Sequence, residues 1–202
     1  MSQADLRKWD ARYRDGAYAD REHPTALLAQ FFGELARGRA LDVACGAGRN
    51  SLFLAKHGFA VDAIDISSAA LERLESAADS EGLQIRTVAA DLEGGIADSS
   101  VIYDGYDLIL MVRYVNQALI PKLTQRLAPG GVFISEEHLQ TVQDVVGPRN
   151  SDYRLAPGQL LQAVLPLRVH YYREGIVTDP DGRRAALAQV IASRDRTEFD
   201  LD

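Results

Sequence analysis

The fold is decided by residues 41–50, which read LDVACGAGRN and join a predicted strand to a predicted helix. The apolar residues within 40–43 suit a strand that is buried on both faces, and those that follow residue 50 suit the buried stripe of a helix. Gly46 and Gly48 lie between the two elements, where glycine permits a sharp turn and leaves no side chain in the way of a ligand. Asp42 places a carboxylate at the end of the strand. The stretch therefore predicts a strand–loop–helix unit with a ligand at its loop.

A second carboxylate is expected close to this loop. Asp65 ends the next apolar run, residues 60–65, and lies 17 positions after Gly48. In nucleotide-binding α/β units, an acidic residue about 20 positions beyond the glycine loop binds the ribose hydroxyls. Three interpretations fit the pattern: a dinucleotide site, a site for a nucleoside that carries cationic groups, and a plain structural turn.

The two ligand classes differ in what they require at Ser51 and Asp42. A dinucleotide fingerprint places a third glycine where this chain has Ser51. Its pyrophosphate lies at the helix N-terminus, where Asp42 would repel it. An ammonium and a sulfonium group would instead be attracted by this carboxylate. The stretch and Asp65 together resemble motif I and the acidic loop of the class I S-adenosylmethionine-dependent methyltransferases.

Composition predicts a globular chain in a reducing compartment. The 202 residues are 47% hydrophobic and 25% charged, which is average for a folded domain, so we expect a single domain over 1–202. The one cysteine cannot form an intrachain disulfide, and no signal segment or membrane span is evident, which favours the cytoplasm. The net charge of −7 disfavours a nucleic-acid partner. Nothing in the sequence indicates the oligomeric state.

Strand-like and helix-like segments alternate, which predicts an α/β fold with a mostly parallel sheet and helices on both faces. The resemblance implies seven strands in the order 3-2-1-4-5-7-6, with an antiparallel hairpin at the end of the chain. The turn signal at 179–182 separates the two strands of that hairpin. Residues 1–25 are expected to form an N-terminal lid helix, and 139–155 an active-site loop.

Three further segments are similar to a family of small bacterial methyltransferases related to the tellurite-resistance and thiopurine methyltransferases. They are residues 106–109 with the following Arg113 and Tyr114, the turn at 129–131, and the stretch 147–150. The chain departs from that family at Ala44, where many members have glycine.

The resemblance implies a binding site for S-adenosylmethionine. Its residues would be Trp9, Tyr13, Asp42, Ala44, Cys45, Gly46, Gly48, Asn50, Asp65, Ile66, Asp91, Leu92, Met111 and Val112. Asp65 would hold the ribose hydroxyls, with Ile66 on the adenine ring. Asp91 would accept from the adenine amino group. Taken alone, Trp9 and Tyr13 also fit simple packing of their helix.

The acceptor side offers three candidate catalytic residues, Arg113, Tyr114 and His138. The Asn/Asp-Pro-Pro-aromatic motif of amino-methylating enzymes is missing after the fourth strand, and the only cysteine lies in another loop. We therefore expect a small polar or anionic molecule, methylated at sulfur, oxygen or a chalcogen oxyanion, with Arg149 assisting. A non-catalytic cofactor-binding sensor and an RNA or protein methyltransferase remain alternatives.

Simpler roles also remain open for some of these residues. Arg113 fits an ion pair with Glu136 or Glu137 as well as it fits contact with an acceptor. His138 is the best-placed general base by its chemistry, although a solvent-exposed loop position is the commoner setting for such a histidine. Asp62 is expected to face solvent at a strand edge. The four histidines are scattered, which disfavours a metal site.

Overall fold

The computed structural model describes residues 3–93 and 102–196, with side chains described from residue 6 onward. Residues 1–2, at the start of the predicted lid, lie outside these ranges, as do 94–101 and 197–202. The helices are α1 (Gln3–Arg14), α2 (Ala26–Phe31), α3 (Arg49–Lys56), α4 (Ser68–Ser80), α5 (Ile120–Thr124) and α6 (Gln159–Val164). The strands are β1 (Arg39–Val43), β2 (Ala60–Asp65), β3 (Ile85–Ala89), β4 (Tyr106–Val112), β5 (Leu127–His138), β6 (Arg168–Thr178) and β7 (Arg184–Ser193). Two short 3-10 helices span Phe32–Glu34 and Ser151–Tyr153.

The described strands form one seven-stranded sheet in the order β3-β2-β1-β4-β5-β7-β6. The first five strands pair in parallel, and β7 pairs antiparallel with both β5 and β6. This order and the terminal hairpin confirm the predicted class I methyltransferase topology. The order in which the chain adds strands to the sheet reverses between β1 and β4, which is the point where ligands bind in open α/β sheets.

The core lies on both faces of the central strands. On one face, Phe133 and Tyr106 pack in a cluster that extends to α5 and α6. On the other face, Leu108 and Ile134 pack against α2 and α3. Strands β1 and β4 therefore read as continuous apolar runs, because both of their faces are covered.

Two predicted boundaries near β5 were wrong. The helical spacing of Leu119, Leu123 and Leu127 predicts a helix that stops at the turn 129–131, with a strand that begins at Val132. In the structure α5 ends at Thr124 and β5 already begins at Leu127. Leu127 pairs with Tyr106 and Val132 pairs with Leu108, so the turn residues 129–131 form an irregularity inside the strand. The Pro-Gly-Gly sequence suggested a loop, whereas the tertiary pairing keeps its flanks in the sheet.

The N-terminal helix α1 is held against the N-terminus of α4. Ser67 caps α4 by accepting from the Ala70 backbone N–H at 3.2 Å, and its hydroxyl donates to Asp10 at 2.6 Å. The Asp10 carboxylate also accepts from the Ala69 N–H at 3.2 Å. An acidic side chain at a helix N-terminus is favoured by the helix dipole, so this contact fixes the predicted lid on the domain.

The sequence predicted that Asp62 faces solvent, and this prediction was wrong. It is 4% exposed and accepts from the Tyr106 hydroxyl at 2.6 Å and from Arg39 at 2.9 Å. The guanidinium of Arg39 lies over the Tyr103 ring, 4.1 Å from its centroid. A cluster of side chains from neighbouring strands therefore covers this edge of the sheet and buries the carboxylate.

We expect Tyr106→Phe to destabilise the protein by about 1–3 kcal/mol, because it removes a hydrogen bond to a buried carboxylate. Tyr103→Phe is the matched control, since the Tyr103 side chain is 39% exposed and its loss should stay within about 0.5 kcal/mol. Urea unfolding of both variants measures the difference. Equal stability of the two variants would contradict the role assigned to this hydrogen bond.

Candidate active site

A cleft of about 1310 Å³ opens at the carboxyl ends of β1, β2, β4 and β5. Its lining includes most of the predicted site residues: Trp9, Tyr13, Asp42, Ala44, Cys45, Gly46, Gly48, Asn50, Asp65, Ile66, Leu92, Val112, Arg113, Tyr114 and His138. Two predicted residues lie elsewhere. The Asp91 side chain is exposed and accepts from the Glu93 backbone N–H at 2.9 Å, and Met111 is fully buried in the core.

The loop between β1 and α3 is shaped by three residues, at every second position, whose backbone has the left-handed conformation. Ala44, Gly46 and Gly48 have φ angles of 55°, 56° and 81°. A Cβ on Gly46 would lie 2.4 Å from the Tyr13 hydroxyl, and a Cβ on Gly48 would lie 2.2 Å from a Leu74 methyl. Glycine is therefore required at both positions. The positive φ of Ala44 costs energy, which explains why many members of the resembled family have glycine there.

Asp65 joins this loop to the end of β2. One carboxylate oxygen accepts from the Gly46 N–H at 2.8 Å and the other from the Ser67 N–H at 2.9 Å. Burial raises the pKa of Asp65, and these backbone hydrogen bonds oppose that change. A carboxylate has about four lone-pair positions, so Asp65 keeps acceptor capacity for a ligand in the cleft that it lines, even with the further backbone hydrogen bond from Ile66.

Asp42 lies deeper in the same end of the cleft. It is 1% exposed, and its Oδ2 accepts from the Ser51 hydroxyl at 2.6 Å. Burial raises the pKa of Asp42 to about 7, against the opposing effect of the Ser51 hydrogen bond. Ser51, which departs from the dinucleotide fingerprint, thus has a definite role: it holds the carboxylate at the end of β1.

Tyr13 and Trp9 cover the loop from the α1 side, with ring centroids 6.3 Å apart. Asn50 fixes the chain segment that follows α1, because its side-chain oxygen accepts from the Thr25 backbone N–H at 2.9 Å. Cys45 lies within the loop, and burial raises the pKa of its thiol well above the usual value. A protonated thiol is a weak nucleophile, so Cys45 serves as a small packing residue.

Arg113 follows β4 and occupies the opposite end of the cleft. It has a φ of 59°, an uncommon backbone conformation for a side chain of this size. Its guanidinium donates to Glu136 at 3.2 Å and to Asp179 at 2.5 Å. The ion pair left open by the sequence therefore forms with Glu136, and with Asp179 of the β6–β7 turn. Its Nη1 makes no hydrogen bond to any described residue.

His138 ends β5 and is 8% exposed, so the solvent-exposed loop position was wrong. Burial, together with Arg113, Arg154 and Arg21, lowers the pKa of His138 to about 3. Tyr114, next to Arg113, remains protonated because burial raises its pKa to about 12.

Two arginines of the cleft follow no motif in the sequence. Arg21 belongs to the segment after α1, and its Nε is buried without a hydrogen-bond partner. Arg49 opens α3, and burial, with Arg113 and Arg21 nearby, lowers its pKa. Only the position of Arg49 directly after the glycine loop could have indicated it. Arg149, which the sequence did indicate, is exposed at the rim.

Residues 3–93 and 102–196 have neither a metal-binding group of side chains nor a membrane-spanning helix. They contain no group of three or more His, Cys, Asp or Glu side chains placed to hold a metal ion. No helix in these ranges has the length and apolar character needed to cross a membrane.

The sequence matches the family described as Tellurite resistance protein TehB over residues 26–132. It is 31% identical over 112 residues to ribosomal RNA small subunit methyltransferase C of Alcanivorax borkumensis, covering 52% of this chain and 34% of that protein. It is 29% identical over 129 residues to the ubiquinone biosynthesis O-methyltransferase of Rickettsia conorii, covering 61% of this chain and 44% of that protein. The chain thus spans about a third to a half of the length of these relatives.

Solved structures share the fold. TehB from Haemophilus influenzae superposes with a TM-score of 0.70 at 22% identity, over 88% of this chain and 66% of that one. An S-adenosylmethionine-dependent methyltransferase from Mesorhizobium loti superposes with a TM-score of 0.63 at 24% identity, over 84% and 96% of the two chains. The family match covers more than half of the sequence, and the glycine loop, sheet order and terminal hairpin agree with it: the chain belongs to the TehB family.

Proposed function

We propose that this protein transfers the methyl group of S-adenosylmethionine to a small polar or anionic acceptor at a sulfur, oxygen or chalcogen-oxyanion atom. One observation carries the proposal: a single cleft has Asp65 and the glycine loop on its β2 side and Arg113, Arg21 and His138 on its β4–β5 side, while Arg49 lies between them, close enough to Asp42 to lower its pKa. These two ends have the opposite charges that a cationic cofactor and an anionic acceptor require.

The acidic end fits the cofactor. Asp65 has acceptor capacity left for the ribose hydroxyls, and Asp42 offers negative charge to the ammonium side of the methionine part. The loop at 44–48 brings backbone close to the ligand, because Gly46 and Gly48 carry no side chain. Ile66 and Leu92 line the same region and would pack on the adenine ring.

The arginine end fits an anionic acceptor. Arg21, Arg49 and Arg113 lie close enough for their charges to affect one another, since Arg113 and Arg21 both lower the pKa of the buried Arg49. Glu136 and Asp179 offset part of this positive charge through Arg113. The remaining positive charge, in a protein with a net charge of −7, would attract an anion to this part of the surface.

When bound, the cofactor supplies both the electrophilic methyl carbon and a leaving group that needs no protonation. The chain's own contribution is to align the acceptor and exclude water, effects that are worth up to about 7–11 kcal/mol in favourable cases. Tyr114, with its pKa of about 12, would donate a hydrogen bond to the acceptor rather than remove a proton. Arg113 would orient the acceptor through its unbonded Nη1.

A non-catalytic sensor is the main alternative. Such a protein would keep the acidic end and have no use for an ordered acceptor end. The buried ion pairs of Arg113 and the covering α1 favour an enzyme. Because one relative is a ribosomal RNA methyltransferase, RNA belongs among the acceptors to be tested, although the net charge disfavours it.

We expect Asp65→Asn to weaken binding of S-adenosylhomocysteine by about 10- to 100-fold, because it replaces charge-assisted hydrogen bonds to the ribose with neutral ones. Asp79→Asn, on the exposed face of α4, is the matched control and should bind as the unchanged protein does. Titration calorimetry measures both. Tighter binding of NADH than of S-adenosylhomocysteine would refute the cofactor assignment.

Asp42→Asn should stabilise the folded protein and weaken cofactor binding at the same time. The folded pKa of about 7 lies above the ordinary value of 3.8, so wild-type stability falls as pH rises between these values and the cost is complete above about pH 7. Since one pKa unit is worth about 1.4 kcal/mol, the variant should gain up to about 4 kcal/mol at pH 8 and little below pH 4. Urea unfolding at both pH values measures the gain. A variant no more stable at pH 8 would contradict the buried charge.

The acceptor class is tested with cofactor that carries a tritiated methyl group. We expect transfer to small thiols, phenols, carboxylates or chalcogen oxyanions, and none to purified RNA or protein. Arg113→Lys keeps the charge but loses the planar guanidinium and its fixed donor directions. Turnover should therefore fall about tenfold or more while cofactor affinity stays unchanged. Labelling of RNA alone would overturn the acceptor class, and cofactor binding without any turnover would favour the sensor. Unchanged turnover in the variant would make Arg113 purely structural.

A further inference from the structure

His138 is surrounded by cations from three different parts of the chain. Arg113 follows β4, Arg154 belongs to the loop 139–155, and Arg21 belongs to the segment after α1; all three lower the pKa of His138, after burial. The imidazole is 8% exposed and lines the cleft. It therefore lies at the arginine end as a largely buried polar group. Which of its two ring nitrogens carries the proton determines whether it donates or accepts a hydrogen bond in the cleft.

The two ring nitrogens of His138 have different surroundings. Nδ1 is buried and has no hydrogen-bond partner. It lies 2.8 Å from the point where a Cβ on Gly147 would stand, and the Arg154 Nη2 lies 3.1 Å from the same point. Arg154 is fixed there, because its Nε donates to the Pro148 carbonyl at 2.7 Å and its Nη1 to the Leu139 carbonyl at 2.8 Å. Nδ1 and the Arg154 guanidinium thus lie beside the same residue, Gly147, so the nitrogen has a fixed cation as its neighbour.

This arrangement selects one tautomer of the neutral ring. A guanidinium carries only donors, so an N–H at Nδ1 would face like charge, whereas a lone pair there is attracted. The nearest carboxylate on the same face of β5 is already used, since Glu136 accepts from Arg113 through Oε1 and from Gln189 through Oε2. The proton of the neutral ring therefore belongs on Nε2, the nitrogen that is not buried.

We propose that His138 is a specificity-determining hydrogen-bond donor, whose Nε2–H binds the anionic group of the acceptor together with the arginines of the cleft. The proposal rests on the proposed function and replaces the general-base role that the sequence suggested for this residue. Gly147 is required for this arrangement, because any side chain there would push the imidazole away from Arg154. A neutral donor adds a directional contact to the arginine group without adding a fourth positive charge.

The tautomer is tested directly by nitrogen-15 NMR of the imidazole rings in the protein without ligands. We expect the His138 resonances to report a neutral ring protonated at Nε2 throughout pH 5–8. Loss of the signals in His138→Gln assigns them. Protonation of His138 above pH 5, or a proton on Nδ1, would overturn the proposal whether or not the protein is a methyltransferase.

The donor role is tested by measuring the affinity for inorganic phosphate. Binding is monitored through the NMR chemical shifts of the cleft residues. His138→Leu removes the donor and should weaken phosphate binding by about tenfold, whereas His138→Gln keeps an N–H donor and should stay within about threefold of the wild type. Equal affinity in all three proteins, or no phosphate binding by any of them, would refute the donor role. Calorimetry with S-adenosylhomocysteine on the same samples tests the cofactor assignment separately, since neither variant touches the acidic end.

Discussion

The acidic end of the cleft depends on one carboxylate. Asp65 accepts from the N–H of Gly46 on one side and from that of Ser67 on the other, so it joins the loop after β1 to the turn that begins α4. Ser67 in turn caps α4 and donates to Asp10 of α1. Because these contacts share atoms, the glycine loop, the acidic turn and the covering helix take up their positions together, and the ligand side of Asp65 is left open.

Burying several charges in one cleft is expensive unless each is paired or serves a ligand. Arg113 is paired, and Glu136 and Asp179 use it as their partner. Asp42 is held by a hydroxyl and not by a cation, and its raised pKa is the result. The Nε of Arg21 and the Nδ1 of His138 have no hydrogen-bond partner within the described residues. Such unpaired groups lower stability, and their position in one cleft associates that cost with ligand binding.

The sequence predicted what depends on neighbours along the chain. The strand–loop–helix unit and Asp65 at the end of β2 follow from apolar runs and glycine positions, and the structure confirms them. It could not place Asp62, His138 or Arg21, because their burial depends on side chains brought in by distant strands and loops. Asp62 looked exposed from its strand alone, yet Tyr106, 44 positions later, covers it.

The contrast between local and distant contacts also explains why the family match is more informative about the cofactor than about the acceptor. The matched range 26–132 contains Asp42, the glycine loop and Asp65, but it ends before His138. It also excludes Arg21, Arg154 and Asp179, which supply or balance charge at the other end of the cleft. Arg21 lies 3.9 Å from Asp181 of the β6–β7 turn, and Asp20 pairs with Arg183 of the same turn. The arginine end is thus built where the segment after α1 meets the terminal hairpin, so what it binds has to be derived from this chain's own side chains.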